Sequence, residues 1–183
     1  MSRRSLAARL REACYLEGEF VLRSGATSGH YFDKYRFEAD PVLLRDTVVA
    51  LLPLVPDAID VVAGPELGGV PLATQLSQAT GKPARFVRKQ PKAYGTRLLA
   101  EGGTVDGLRL LIIEDVVSTG GQIVETVLAL RNEGAVCEHA LCVILRDEAG
   151  VANLAAIGVV LTALFTSADL RRSVEQKPPD SDA

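Results

Sequence analysis

Arg109-Leu110-Leu111-Ile112-Ile113-Glu114-Asp115-Val116-Val117-Ser118-Thr119-Gly120-Gly121-Gln122 is the stretch whose reading decides the fold. Leu110 to Ile113 form an unbroken apolar run, too short for a helix, as expected of a strand buried on both faces of a parallel sheet. The run ends on adjacent carboxylates, Glu114 and Asp115. After two valines, Ser118-Thr119-Gly120-Gly121 has the chemistry of a turn that opens a helix. Ile123, Val124, Val127, Leu128 and Leu130 then recur at helical spacing up to Asn132, and Gly134 supplies a left-handed stop.

A turn rich in hydroxyls and glycine at a helix start presents free backbone N–H groups and the positive end of the helix dipole. It can therefore cradle a phosphate without a lysine. Two carboxylates beside a phosphate would repel it, so Glu114 and Asp115 make chemical sense facing ribose hydroxyls or a developing positive charge. The Gly-Lys-Ser/Thr of a nucleotide-binding P-loop is missing. The plainer alternative is a strand–turn–helix with an acidic edge and a Ser/Thr cap. The composite pattern nevertheless resembles the phosphoribosyl-diphosphate signature of the type I phosphoribosyltransferases.

The 183 residues, 48% hydrophobic and 23% charged, suit one globular domain with a substantial core. A net charge of −3 leaves no footprint for nucleic acid or an anionic membrane, and the longest nearly apolar stretch, Leu154 to Phe165, is too short to span a bilayer. The start, Met-Ser-Arg-Arg followed by an amphipathic segment, does not read as a secretory signal. Cys14, Cys137 and Cys142 make neither a zinc knuckle nor a disulfide framework, so reduced thiols and a cytoplasmic location are expected. His30 and His139 lie far apart without ligand partners, which argues against a metal site built from protein side chains.

Leu6, Leu10, Ala13 and Cys14 give a first helix one apolar face, with Gly18 read as its stop. Glu19 to Arg23 and His30 to Arg36 read as the strands of a hairpin. Asp40-Pro41 starts a helix that runs to about Leu52. An α/β rhythm follows. A strand from Asp60 to Ala63 leads through Gly64-Pro65-Glu66-Leu67-Gly68-Gly69 into a helix stopped by Gly81, and a strand from Ala84 to Arg88 leads into a long polar stretch. After the central strand and helix come a strand from Val136 to Leu145, a short helix over Val151–Ile157, a strand from Val159 to Phe165 and a helix capped by Ser167. This alternation predicts an α/β fold: a doubly wound, mostly parallel sheet flanked by helices, with ligands at the carboxyl ends of the strands. Residues 1–173 are read as one domain, with a small N-terminal hairpin hood at about 19–36, a mobile loop at about 89–103 and a disordered tail at 174–183.

Arg88, Lys89, Lys92 and Arg97 place four positive charges on one loop before the first acid, Glu101, in a chain that is acidic overall. The plain reading is a solvated basic loop; the chemical one is a loop that closes over a leaving diphosphate. Arg88-Lys89-Gln90-Pro91-Lys92-Ala93-Tyr94-Gly95 resembles the catalytic loop of orotate phosphoribosyltransferases. Phe20, Leu22, Arg23, Ser24, Gly25, Ser28, Tyr31, Phe32 and Asp33 resemble that family's hairpin, and Gly64 to Gly69 resembles its diphosphate-binding loop. The chain departs from the family pattern at three positions. Gly68 stands where one branch has lysine, Tyr94 where many members have histidine, and Leu145 where an aspartate usually precedes the arginine, here Arg146.

The resemblance, in four motifs across roughly Gly18 to Leu170, implies transfer of a phosphoribosyl group from phosphoribosyl diphosphate to orotate. It implies that Arg88, Lys89, Lys92, Tyr94, Glu114, Asp115, Val116, Val117, Ser118, Thr119, Gly120, Gly121 and Gln122 bind the phosphoribosyl diphosphate. Lys89, Lys92 and Asp115 would be catalytic, and Ser118, Arg146, Arg23, Tyr31 and Phe32 would meet orotate. It further implies Mg2+ carried by the diphosphate, and a homodimer in which loop 88–103 serves the neighbouring site. The alternatives are a phosphoribosyltransferase for another base, or a non-catalytic regulator that binds phosphoribosyl diphosphate. The second would ordinarily carry a DNA-binding domain, for which the chain has neither room nor a basic patch.

Overall fold

A computed structural model describes residues 2–21, 25, 27–90 and 98–175. Its centre is β6 (Arg109–Val117), which pairs in parallel with β3 (Val61–Pro65) on one side and β7 (Val136–Leu145) on the other. Beyond them lie β4 (Ala84–Val87), a short antiparallel β5 (Ala100–Glu101) and β8 (Val160–Thr166), giving the order β5-β4-β3-β6-β7-β8. The chain thus leaves β3 in one direction for β4 and later returns to β6 on the other side. A crevice opens at such a reversal, outside the carboxyl ends of β3 and β6.

The apolar run of β6 is continuous because both faces of the sheet are covered. Leu111 and Ile113 pack in a core with α1 (Arg3–Cys14), α3 (Pro41–Leu51) and α4 (Gly69–Thr80). Leu110 and Ile112 face the opposite core, with Ile123, Val127 and Leu130 of α5 (Gly121–Asn132) and Leu154 of α6 (Ala149–Ala155). Truncating any of these strand side chains to alanine should cost about 2–5 kcal/mol. Asp40 caps α3 by accepting from the Val42 and Leu43 N–H groups, and Gly81 ends α4 at φ +71, both as expected from the sequence.

Several boundaries differ from expectation. The hairpin consists of β1 (Tyr15–Val21) and β2 (Thr27–Phe32), so it begins directly after α1 and ends before residue 36. Gly18 is not a helix stop; it lies inside β1 at φ +154, where the pairing register shifts between Glu17 and Phe20. Residues up to Arg36 leave the strand because α2 (Tyr35–Ala39) buries Phe37 and Glu38 against the core. β6 runs through the acid pair to Val117, and β5 interrupts the stretch expected to be an irregular loop at 89–103. The last helix, α7 (Ser167–Glu175), extends two residues past the expected tail boundary at 174, and the rest of that tail lies outside the described residues. Its cap is Thr166, whose Oγ1 accepts from the Asp169 N–H while Asp169 accepts from the Thr166 N–H, a reciprocal box that Ser167 does not make.

Candidate active site

At the carboxyl end of β6 the two acids lie within the sheet, Glu114 at 7% and Asp115 at 0% exposure. A buried carboxylate needs a partner. Lys34, between the hairpin and α2, supplies it: its Nζ sits 2.9 Å from Asp115 Oδ1 and 2.7 Å from Oδ2. The Val116 N–H also donates to Asp115 Oδ1. Glu38 on α2 is 7% exposed, and neither of its oxygens has a hydrogen-bond donor among the described residues.

These environments separate the acids. Burial, reinforced by the neighbouring Asp115 carboxylate, pushes Glu38 up to about 9 and Glu114 up to about 8. For Lys34, burial alone would lower the pKa, but the hydrogen bond to Asp115 and its charge outweigh that and raise it. Of the three acids, Asp115 is the one in contact with the Lys34 ammonium, and burial makes Glu38 and Glu114 hold a proton more tightly than a free carboxyl would.

Two loops meet beside this pair. The backbone of Gly64–Gly69 closes tightly over the end of β6: a Cβ on Gly68 would fall 1.6 Å from Asp115 Oδ2, and one on Gly69 2.6 Å from the Ile113 carbonyl oxygen. Ser118, Thr119, Gly121 and Gln122 form the exposed turn into α5. The Ser/Thr cap of the plainer alternative is not made. The N-cap is Gly120, at φ +74 and without a side-chain cap, which leaves the first amides of α5 open toward the crevice. Gln122 Nε2 donates to the Glu66 carbonyl at 3.2 Å and so joins the two loops. Val116 and Val117 pack into the two cores, so only their backbones can face a ligand.

A cleft of about 850 Å³ is lined by Pro65, Glu66, Arg88, Lys89, Gly121 and Gln122. The start of α5 and the root of the basic loop thus share one space. A second cavity, about 500 Å³, is lined by Arg146, Tyr31 and Phe32 among others. The Arg146 guanidinium lies 5.7 Å from the centre of the Phe32 ring, and the backbone N–H of Arg146 donates to the Val117 carbonyl at 2.7 Å, which places the residue's main chain beside Ser118. Tyr31 instead packs on Phe20, with ring centroids 5.6 Å apart. Arg23, Lys92 and Tyr94 lie outside the described residues.

A sequence profile described as the phosphoribosyl transferase domain matches residues 54–162. An orotate phosphoribosyltransferase from a Nocardioides species is 47% identical over 166 residues, 91% of this chain and 93% of that protein. The chain belongs to the orotate phosphoribosyltransferase family. Among solved members, the Mycobacterium tuberculosis orotate phosphoribosyltransferase in complex with Fe(III) dicitrate superposes with a TM-score of 0.83 at 30% identity, covering 92% of this chain and 98% of that one. The same M. tuberculosis protein in complex with 5-phospho-alpha-D-ribosyl 1-diphosphate gives 0.79 at 28%, with the same coverage of 92% and 98%. The fold is that of the orotate phosphoribosyltransferase family, its sheet and hairpin included.

Lys34 and Glu38 are the site residues that the sequence reading missed. Both lie just past Asp33, where the recognised hairpin motif stops, and their contact with Asp115 spans 81 positions for Lys34. The only local signal was a lysine following the motif's terminal aspartate. Among the described residues no three His, Cys, Asp or Glu side chains gather into a metal-holding group. Of the acid pair, Asp115 is already engaged by the Lys34 ammonium and so is not a free ligand for a magnesium ion held by the protein alone.

Proposed function

We propose that this chain transfers the phosphoribosyl group of 5-phosphoribosyl 1-diphosphate to orotate, giving orotidine 5′-monophosphate and diphosphate, a step of pyrimidine biosynthesis. The observation that carries the reading is the buried Glu114–Asp115 pair at the sheet's reversal, running directly into an uncapped helix start with Arg146 pinned beside it. In the reaction the bond from ribose C1 to the diphosphate oxygen breaks and one from an orotate ring nitrogen to C1 forms. The proton on that nitrogen leaves to solvent.

No protein nucleophile is required. The open amides of α5 and the Ser118 and Thr119 hydroxyls hold the 5′-phosphate, and Asp115 with Glu114 faces the ribose hydroxyls and the positive charge that develops at C1. Arg88 and Lys89, with Lys92 from the same loop, neutralise the departing diphosphate. Arg146 pairs with the orotate carboxylate, and Phe32 supports its guanidinium. Magnesium, when bound on the substrate, would supply charge neutralisation at the diphosphate near Glu114 and Asp115. We assign a homodimer in which the basic loop serves the neighbouring site, and a cytoplasmic location consistent with three free, buried cysteines. No helix of the described residues is long and apolar enough to cross a membrane.

The deciding experiment incubates the protein with orotate, phosphoribosyl diphosphate and magnesium and follows orotate absorbance. Loss of absorbance dependent on all three supports the reading. No loss with orotate, but turnover of another base, would reassign the substrate.

A further inference from the structure

Asp115 is fully buried, and both of its oxygens lie against the ammonium of Lys34, at 2.9 and 2.7 Å. Ribose hydroxyls can donate to this carboxylate only where the ammonium does not already sit. The two partners differ in freedom. Asp115 is held inside a paired strand, whereas the Lys34 side chain keeps 33% of its exposure and precedes α2 without capping it. The outer partner is therefore the one that can move.

The surroundings allow that movement. Burial raises Glu38 and Glu114, and of the three acids only Asp115 makes an ion pair with the ammonium, so its carboxylate is what chiefly retains it. Gly68 approaches so closely that a side chain there would collide with Asp115, so the glycine-rich loop brings no cation of its own to this point. The substrate brings several negative charges into the same crevice.

We propose that Lys34 is an exchange cation of the substrate site: it holds the Asp115 carboxylate while the cleft is empty and passes to an anionic oxygen of phosphoribosyl diphosphate when ribose hydroxyls replace it on Asp115. This rests on the proposed function, since it takes Asp115 as the ribose-facing acid. The exchange keeps every buried charge compensated before and after binding. It also makes the resting ion pair a barrier to ligands that offer hydroxyls without an anion, because they leave the displaced ammonium no new partner.

The test is the affinity for phosphoribosyl diphosphate with magnesium and without orotate, measured by calorimetry on the unmodified protein, Lys34→Met and Lys34→Arg. Lys34→Met should bind about tenfold more weakly or worse, with the KM for orotate little changed, and Lys34→Arg should recover part of the loss. A purely structural lysine would shift the melting temperature and spare this affinity, and that result overturns the proposal. Should Lys34→Met fail to fold, Asp115→Asn/Lys34→Met leaves no buried unpaired carboxylate and is compared with Asp115→Asn alone. Binding about tenfold weaker in the double variant supports the exchange, and equal binding refutes it. Orotate turnover by the unmodified protein is a separate readout. If it fails while phosphoribosyl diphosphate still binds, the proposed function falls and the role of Lys34 is still decided by the binding series. If the unmodified protein does not bind phosphoribosyl diphosphate, both fall.

Discussion

The Lys89 N–H donates to Glu66 Oε1 at 2.7 Å, tying the root of the basic loop to the glycine-rich loop that follows β3. Because Gln122 Nε2 reaches the carbonyl of the same Glu66, one residue fastens three segments of the crevice. The bond is exposed, so its loss should cost little stability, about 0.5–1.5 kcal/mol. Glu66→Ala is expected to raise the KM for phosphoribosyl diphosphate several-fold with a nearly unchanged melting temperature. Paired kinetics and calorimetric scans check this.

Asp115→Asn should lower kcat by about two to three orders of magnitude, because it removes the charge placed against the ribosyl group as positive charge develops. The fold should survive, since Lys34 is partly exposed and can turn to water when its partner is neutralised. A melting curve beside the kinetics separates the two effects; full turnover in a folded variant would remove the acid pair from the mechanism.

Arg146→Ala should cut kcat/KM for orotate about tenfold to a hundredfold at saturating phosphoribosyl diphosphate, the worth of one charge-assisted pair in a closed site. Phe32→Leu should produce a smaller loss in the same direction, because the ring lies 5.7 Å under the guanidinium. An unchanged value in Arg146→Ala would hand the carboxylate to another residue, with Arg23 the next to test.

If the basic loop serves a neighbouring subunit, Lys89→Ala chains mixed with Asp115→Asn chains should regain activity that neither has alone. Each hybrid dimer then holds one site with both residues intact. Demonstrated subunit exchange without recovery would refute shared sites.

The pH dependence of stability has a definite sign. Glu38 is raised from 4.5 to about 9 and Glu114 from 4.5 to about 8, so the folded chain holds protons there that the unfolded chain releases. That contribution is fully present below the unfolded value and is lost as the pH rises from about 4.5 toward about 9. The melting temperature of Glu38→Gln, which cannot titrate, should fall less steeply over that range than that of the unmodified protein.

Much of the architecture was legible in the sequence because local rules and tertiary demand agree there. Val136–Leu145 is a strand with the expected bounds, Asp40 caps its helix, and the alternating burial of Leu110 to Ile113 explains an apolar run without periodicity. Legibility failed where a distant partner overrides local chemistry. Gly18 looks like a helix stop but is absorbed into a strand by pairing with β2, and Glu114 and Asp115 continue a strand that carboxylates would ordinarily end. Ser118 and Thr119 resemble caps, yet they leave the amides of α5 open. The ion pair of Lys34 with Asp115 has no local sequence signal beyond a lysine next to Asp33, because it is made by folding the hairpin's end onto the sheet.

The pairing of β4 with β5 sets a length. The Arg88 N–H donates to the Leu99 carbonyl at 2.9 Å, so the segment carrying Lys89 and Lys92 leaves and re-enters the sheet at a single point. Eleven Cα-to-Cα steps between those anchors, spent half outward and half on the return, allow an excursion of about 20 Å at most. Any diphosphate the loop's lysines contact, in its own subunit or a partner's, must lie within that radius plus the length of one lysine side chain. Should two chains pair, the tether acts as a ruler for them, and an arrangement that holds the partner's crevice farther away is incompatible with exchange of these lysines.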